Sequence, residues 1–113
     1  MNKLSVLILF AVFAAAQSKE LTGNVDNGKR LFVRNGCYQC HGYVGQGGAA
    51  GARLAQTKLP LAGFTAFVRN PPPSGMPPFR AKVMSDQELA DVWAYIKSIP
   101  EPKPVKDIPL LNQ

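Results

Sequence analysis

The sequence is poor in metal ligands, acids and strand patterning. It has two Cys, Cys37 and Cys40, and one His, His41. A structural zinc site wants four Cys or His ligands, so these fall one short. No second His, no paired carboxylates beside a motif and no nucleophile with an adjacent base is present, so no residue set reads as catalytic. No alternation of apolar and polar residues runs long enough for a convincing strand, which removes the βαβ setting of a thioredoxin-type dithiol. After residue 16 no apolar run approaches the ~20 residues of a membrane-spanning helix. Acidic residues number 7 against 13 Lys and Arg, a formal charge of +6. The basic residues are scattered, so nucleic acid is not indicated. The surplus fits steering towards an acidic partner surface, or simply a soluble surface with more Lys than Glu. Neither repeats nor a second domain can be found, and the length suits one small domain.

At the N-terminus, Met1-Asn2-Lys3 is followed by an apolar run from Leu4 to Ala16, broken only by Ser5. A basic start, a short apolar core and Ala14-Ala15-Ala16 read as a secretory signal peptide over residues 1–16. The run is too short to span a bilayer. No Cys follows the expected cleavage site, which argues against a lipoprotein anchor. An exported, periplasmic protein is expected. Residues 17–23 then read as a flexible mature N-terminus.

Within this frame stands Cys37-Tyr38-Gln39-Cys40-His41. Cys-x-x-Cys-His is the attachment signature of a c-type haem. Two thiols three positions apart can each add to one vinyl group of a haem, giving two thioethers. His41 then follows as proximal ligand to the iron. A plain disulfide would leave His41 unexplained. A covalent haem also supplies a large apolar body to a chain near the lower size limit for a self-sufficient core.

Around the pentapeptide the patterning is helical. A helix is expected from about Asn24 to Asn35, with Asn24 as N-cap and Gly36 as stop. Gly28, Leu31 and Phe32 share one face, and a Gly inside a helix implies close approach of a second helix. Residues 42–56 are Gly- and Ala-rich and read as loop. No Gly-Lys-Ser/Thr follows, so this is not a phosphate cradle. Its small residues suit a wrap around the proximal side, where a loop carbonyl can accept from the second ring nitrogen of His41. A short helix over about Leu61 to Asn70 carries Leu61, Phe64, Phe67 and Val68 on one face, and Pro71 stops it. The last helix, about Asp86 to Ser98, opens on a Ser85/Glu88 capping box and carries Leu89, Val92, Trp93 and Ile96 as a stripe. Residues 101–113 read as a proline-rich tail lying extended on the surface, with Ile108, Leu110 and Leu111 available for docking.

Two methionines compete as second axial ligand. Met84 precedes the Ser85 cap at the spacing of a hydrophobic staple with Leu89, which makes it core. Met76 sits in Pro71-Pro72-Pro73-Ser74-Gly75-Met76-Pro77-Pro78-Phe79, where prolines preset an extended backbone and no helical face exists to bury it.

Four motifs in this order resemble a small monohaem class I c-type cytochrome of the bacterial periplasmic type, over about residues 24–100. They are Gly28-Lys29-Arg30-Leu31-Phe32, Cys37 to Gly42, Gly75 to Phe79, and Leu89 to Ile96. The resemblance implies an all-α fold of three main helices and loops around one covalently bound haem, with the first and last helices crossing at Gly28. It implies thioethers at Cys37 and Cys40, His41 as proximal and Met76 as distal iron ligand. The family's Gly-Pro-x-Leu loop corresponds to Gly51-Ala52-Arg53-Leu54, with the Ala52 carbonyl in place of the proline's as acceptor for His41. Electron transfer between periplasmic redox partners is the expected function, without catalysis. A haem subunit bound to an oxidoreductase, and a haem sensor or peroxidase with a labile distal site, are the alternatives. A monomer or a subunit of a redox complex is expected.

Overall fold

Asn24 ends the extended N-terminal stretch, and its side-chain oxygen accepts from the Asn27 backbone N–H at 2.8 Å. That cap starts α1, Val25–Arg34. The computed structural model describes residues 20–73 and 75–112, so the expected signal peptide lies outside the described residues. After α1 come α2 (Cys37–His41), α3 (Leu61–Arg69) and α4 (Asp86–Ser98), then two 3-10 turns, Val105–Asp107 and Pro109–Leu111. Among the described residues the only β pairing is an isolated bridge between Gly48 and Gly51. The fold is all-α, as expected; the short α2, formed by the pentapeptide itself, adds a fourth helix to the three read from periodicity.

The main packing event is α1 against α4. At Gly28 an added Cβ would lie 1.9 Å from the Asp91 carbonyl oxygen and 2.9 Å from the Tyr95 Cβ. Only glycine permits this approach, because any side chain would have to displace α4 backbone. Leu31 and Phe32 of α1 and Leu89, Val92, Tyr95 and Ile96 of α4 are buried around the crossing. Phe32 meets Tyr95 edge-on, with ring centroids 5.4 Å apart. Both halves of the capping box form at Ser85 and Glu88, and Met84 joins the core directly before it. Trp93 is half-buried, and its indole N–H donates to the Leu59 carbonyl at 2.9 Å.

The crossing also contains a buried acid that periodicity did not single out. Asp91 accepts from the Asn24 N–H at 2.8 Å, from Asn27 Nδ2 at 2.7 Å and from Gln87 Nε2 at 3.0 Å. Burial pushes its carboxyl up, but these three donors outweigh that and hold it below the usual carboxylate range.

Two expectations need correction. On α3, Leu61, Phe64 and Val68 are buried, but Phe67 is 47% exposed. One residue is about 100° of helical rotation, so Phe67 lies on the flank of the face that Val68 completes. The tail is coiled rather than extended. Asn112 Nδ2 donates to the carbonyls of Val105, Lys106 and Ile108 at 2.9, 2.9 and 3.0 Å, folding the two turns onto each other. Leu110 and Leu111 stay exposed, and among the described residues the turns pack on no helix.

Candidate functional site: a haem attachment centre

Gly36, at φ 73°, ends α1 and turns the chain directly into α2. Residues three and four apart on a helix are neighbours, so α2 places Cys37, Cys40 and His41 together. Cys37 is half-buried against the hydrophobic core, and Cys40 is exposed. Burial pushes the Cys37 thiol above its ordinary range, with an opposing backbone hydrogen bond. No disulfide joins the two cysteines, which leaves both sulfurs available for thioethers.

The Gly-rich loop then folds back over α2. Gly47 N–H donates to the His41 carbonyl at 2.7 Å, and the Leu54 and Ala55 N–H groups both donate to the Gly45 carbonyl, at 2.8 and 2.9 Å. These bonds bring Ala52 to the imidazole, with His41 Nδ1 2.7 Å from the Ala52 carbonyl oxygen. A carbonyl can only accept, so Nδ1 carries the proton and Nε2 keeps its lone pair. This is the tautomer a haem-ligating histidine needs, with its second nitrogen oriented by a backbone acceptor. Gly51 shows how tightly the loop fits. A Cβ there would stand 2.7 Å from the Cys40 carbonyl oxygen and 3.0 Å from His41 Nδ1. Two cysteines at the attachment spacing and an imidazole held in the ligating tautomer fit a covalently bound haem.

The far end of this loop is fastened to the end of α4. Gln56, at φ 56°, donates its N–H to the Ile96 carbonyl at 2.9 Å. Its side-chain amide donates to the Ile99 and Pro100 carbonyls at 2.7 and 2.9 Å. Gln56 thus satisfies carbonyls where α4 ends. Nothing in the local sequence marks this role. Arg53 pairs with Glu101 at 3.7 Å and donates to the Gln56 side chain, so it is engaged with the tail side.

Met76 comes from a different part of the chain. It is half-buried and packs against the same core as Cys37, Leu54 and Phe79. Its loop, with Pro71, Pro72, Pro73 and Pro78, lines an open cavity that Met76 shares. Met84 is 2% exposed, buried in the core as the staple reading expects.

Residues 23–96 match the family described as cytochrome c oxidase, cbb3-type, subunit III. The chain is also similar to cytochrome c-555 of Methylococcus capsulatus (strain Bath), with 33% identity over 99 residues, covering 83% of this chain and 77% of that protein. No solved structure matches it. With the Cys-x-x-Cys-His site on α2 and the all-helical fold around it, the chain belongs to the small monohaem class I c-type cytochromes, which carry electrons on a covalently bound haem c.

Proposed function

We propose that Cys37 and Cys40 hold the haem by thioethers, that His41 and Met76 are its axial ligands, and that residues 24–100 form the electron-carrying domain of a periplasmic protein exported by residues 1–16. When bound, haem c supplies an iron that changes between Fe(III) and Fe(II). The chain's part is to keep its ligands still while the charge changes. The observation that carries the reading is the 2.7 Å hydrogen bond from His41 Nδ1 to the Ala52 carbonyl, which fixes the ring in one tautomer and orientation. Proline-stiffened backbone around Met76 does the same on the other side. A thioether ligand favours the reduced state and raises the potential relative to a second histidine. With both axial positions filled by protein, no site remains for substrate, which argues for transfer without catalysis.

A second reading has its own support. The matching family is described as an oxidase subunit, and the tail presents Leu110 and Leu111 without packing them on any helix among the described residues. The protein would then serve as a haem subunit docked to an oxidoreductase through residues 101–113. Co-purification with an enzyme favours the docked subunit, and a monomer that any soluble donor reduces favours the shuttle.

The experiment that tests the ligand set is the visible spectrum of the purified protein, oxidised and reduced, for wild type and Met76→Ala, expressed with haem-maturation machinery. The weak far-red band of Met–iron(III) ligation is expected in wild type and lost in the variant. A variant that keeps the band moves the ligand to Met84. A wild type without it, together with rapid carbon monoxide binding, points to a sensor or peroxidase.

A further inference from the structure

Between α3 and α4 the chain runs through the Met76 loop, residues 70–84, which contains no helix among its described residues. The Phe79 N–H donates to the Val68 carbonyl at 3.0 Å. Further polar ties among the described residues converge on one side chain. Arg69, the last residue of α3, donates from one guanidinium nitrogen to the Phe79 carbonyl at 2.8 Å and the Met84 carbonyl at 2.6 Å. Its other terminal nitrogen meets Asp86 at 2.6 Å, in the first turn of α4. The Arg69 side chain is only 16% exposed, whereas Asp86 is 71% exposed. The guanidinium is therefore enclosed by the loop it ties, and the ion pair forms its outer, wetter edge.

The geometry points to Arg69 as the lock of the distal loop, a positioning residue that keeps Met76 at the haem by joining the end of α3, the returning strand of the loop and the start of α4. The inference rests on Met76 being the distal ligand. Arg suits the task because a planar fork can donate to two carbonyls and a carboxylate at once, and hydrogen bonds from a charged donor are the stronger kind. A lysine ammonium can satisfy one of these sites but cannot span all three in fixed geometry. The prolines make the loop stiff, but stiffness alone does not hold a hinged segment closed. Arg69 supplies the closure.

The test uses purified haem-bound protein as wild type, Arg69→Gln, Arg69→Lys and Asp91→Asn. The last weakens the α1–α4 crossing and leaves the loop's ties in place. Two quantities are read: amide hydrogen exchange over residues 75–83, and imidazole affinity of the ferric protein. For Arg69→Gln, exchange in the loop and imidazole affinity are both expected to rise about tenfold or more, the scale of losing hydrogen bonds to a charged group. Arg69→Lys is expected to fall between it and wild type, and it carries the test if Arg69→Gln does not fold. Asp91→Asn is expected to leave both quantities close to wild type after correction for its lower stability. Unchanged loop exchange in the Arg69 variants, or an equal rise in Asp91→Asn, overturns the lock. The ligand reading fails separately, through absence of the far-red band in wild type, and loop exchange still decides the lock in that case.

Discussion

The two sides of the haem site are held by opposite means. On the proximal side, His41 is one residue from Cys40 and lies under a loop whose own backbone bonds bring a carbonyl to its ring. The fit there depends on missing side chains, since a Cβ at Gly51 would press on Cys40 and His41. On the distal side, Met76 is far in sequence from the attachment cysteines and arrives on proline-stiffened backbone. At Gly75 the space is open, with nothing within 4 Å of an added Cβ, but the backbone has φ 90°. Gly51 is required by crowding alone, and Gly75 by backbone conformation alone. If His41 and Met76 are the axial ligands as proposed, proximal ligation is built into local covalent sequence, whereas distal ligation depends on how a loop is closed.

The largest effect should come from crowding the proximal side. Gly51→Val places branched carbon against the backbone of α2, which cannot move without carrying Cys40 and His41 with it. Overpacking of this kind costs about 3 kcal/mol. Thermal unfolding of the haem-bound variant is expected to show that loss, together with a raised reduction potential, because an imidazole that loses the Ala52 acceptor is a weaker donor to Fe(III). A variant with wild-type stability and potential would break the contrast between the two sides.

Asp91 tests what both sides share, the α1–α4 crossing. Asp91→Asn turns one acceptor oxygen into a donor facing either Asn27 Nδ2 or both the Asn24 N–H and Gln87 Nε2, and about 2 kcal/mol is expected from losing hydrogen bonds to a charged acceptor. The pH dependence has a definite sign. The folded-state pKa is lowered, so the contribution is complete above the ordinary carboxylate range and is lost as pH falls through the lowered native value. Denaturant unfolding of wild type should weaken with acid over that window, and the Asn variant should show less of that dependence. An identical acid dependence in both would remove Asp91 as its source.

Glycine 75 provides the distal counterpart to Gly51. Holding a Cβ in a left-handed conformation costs about 1 kcal/mol, and open surroundings add nothing to it. Gly75→Ala is expected to destabilise less than Gly51→Val while disturbing the Met76 band more. The reverse pattern in melting and far-red absorbance would erase the distinction between crowding and strain.

What the sequence made legible follows the same division between local and distant causes. α1, α3 and α4 lie within a residue of their expected ends, because Asn24, Gly36, Pro71, the Ser85/Glu88 box and Pro100 act on their neighbours. The approach at Gly28 and the acceptor at Ala52 were also legible, through the family's ordered motifs. Asp91, Gln56 and Arg69 were not. Asp91 finds partners on α1, Gln56 finds them beyond the end of α4, and Arg69 finds them across the Met76 loop. Each looks in sequence like an ordinary polar residue, and its role depends on which backbone arrives beside it. Phe67 failed for a related reason: its period was right, but the width of the buried face was set by what α4 covers.

The smallest expected effect is the most informative about stiffness. Proline limits the unfolded chain, so replacing one at a position its ring fits costs about 0.5 kcal/mol through chain entropy, without removing any contact. Pro78→Ala leaves the Arg69 bonds to the Phe79 and Met84 carbonyls in place. If closure of the distal loop comes from Arg69 and proline contributes only pre-ordering, this variant should lose that small amount of stability in denaturant melts and keep its far-red band. If proline itself holds Met76, the band should weaken well before the protein unfolds. In the first case stiffness and closure are separable properties of one loop, and the proposed distal ligand depends on the second.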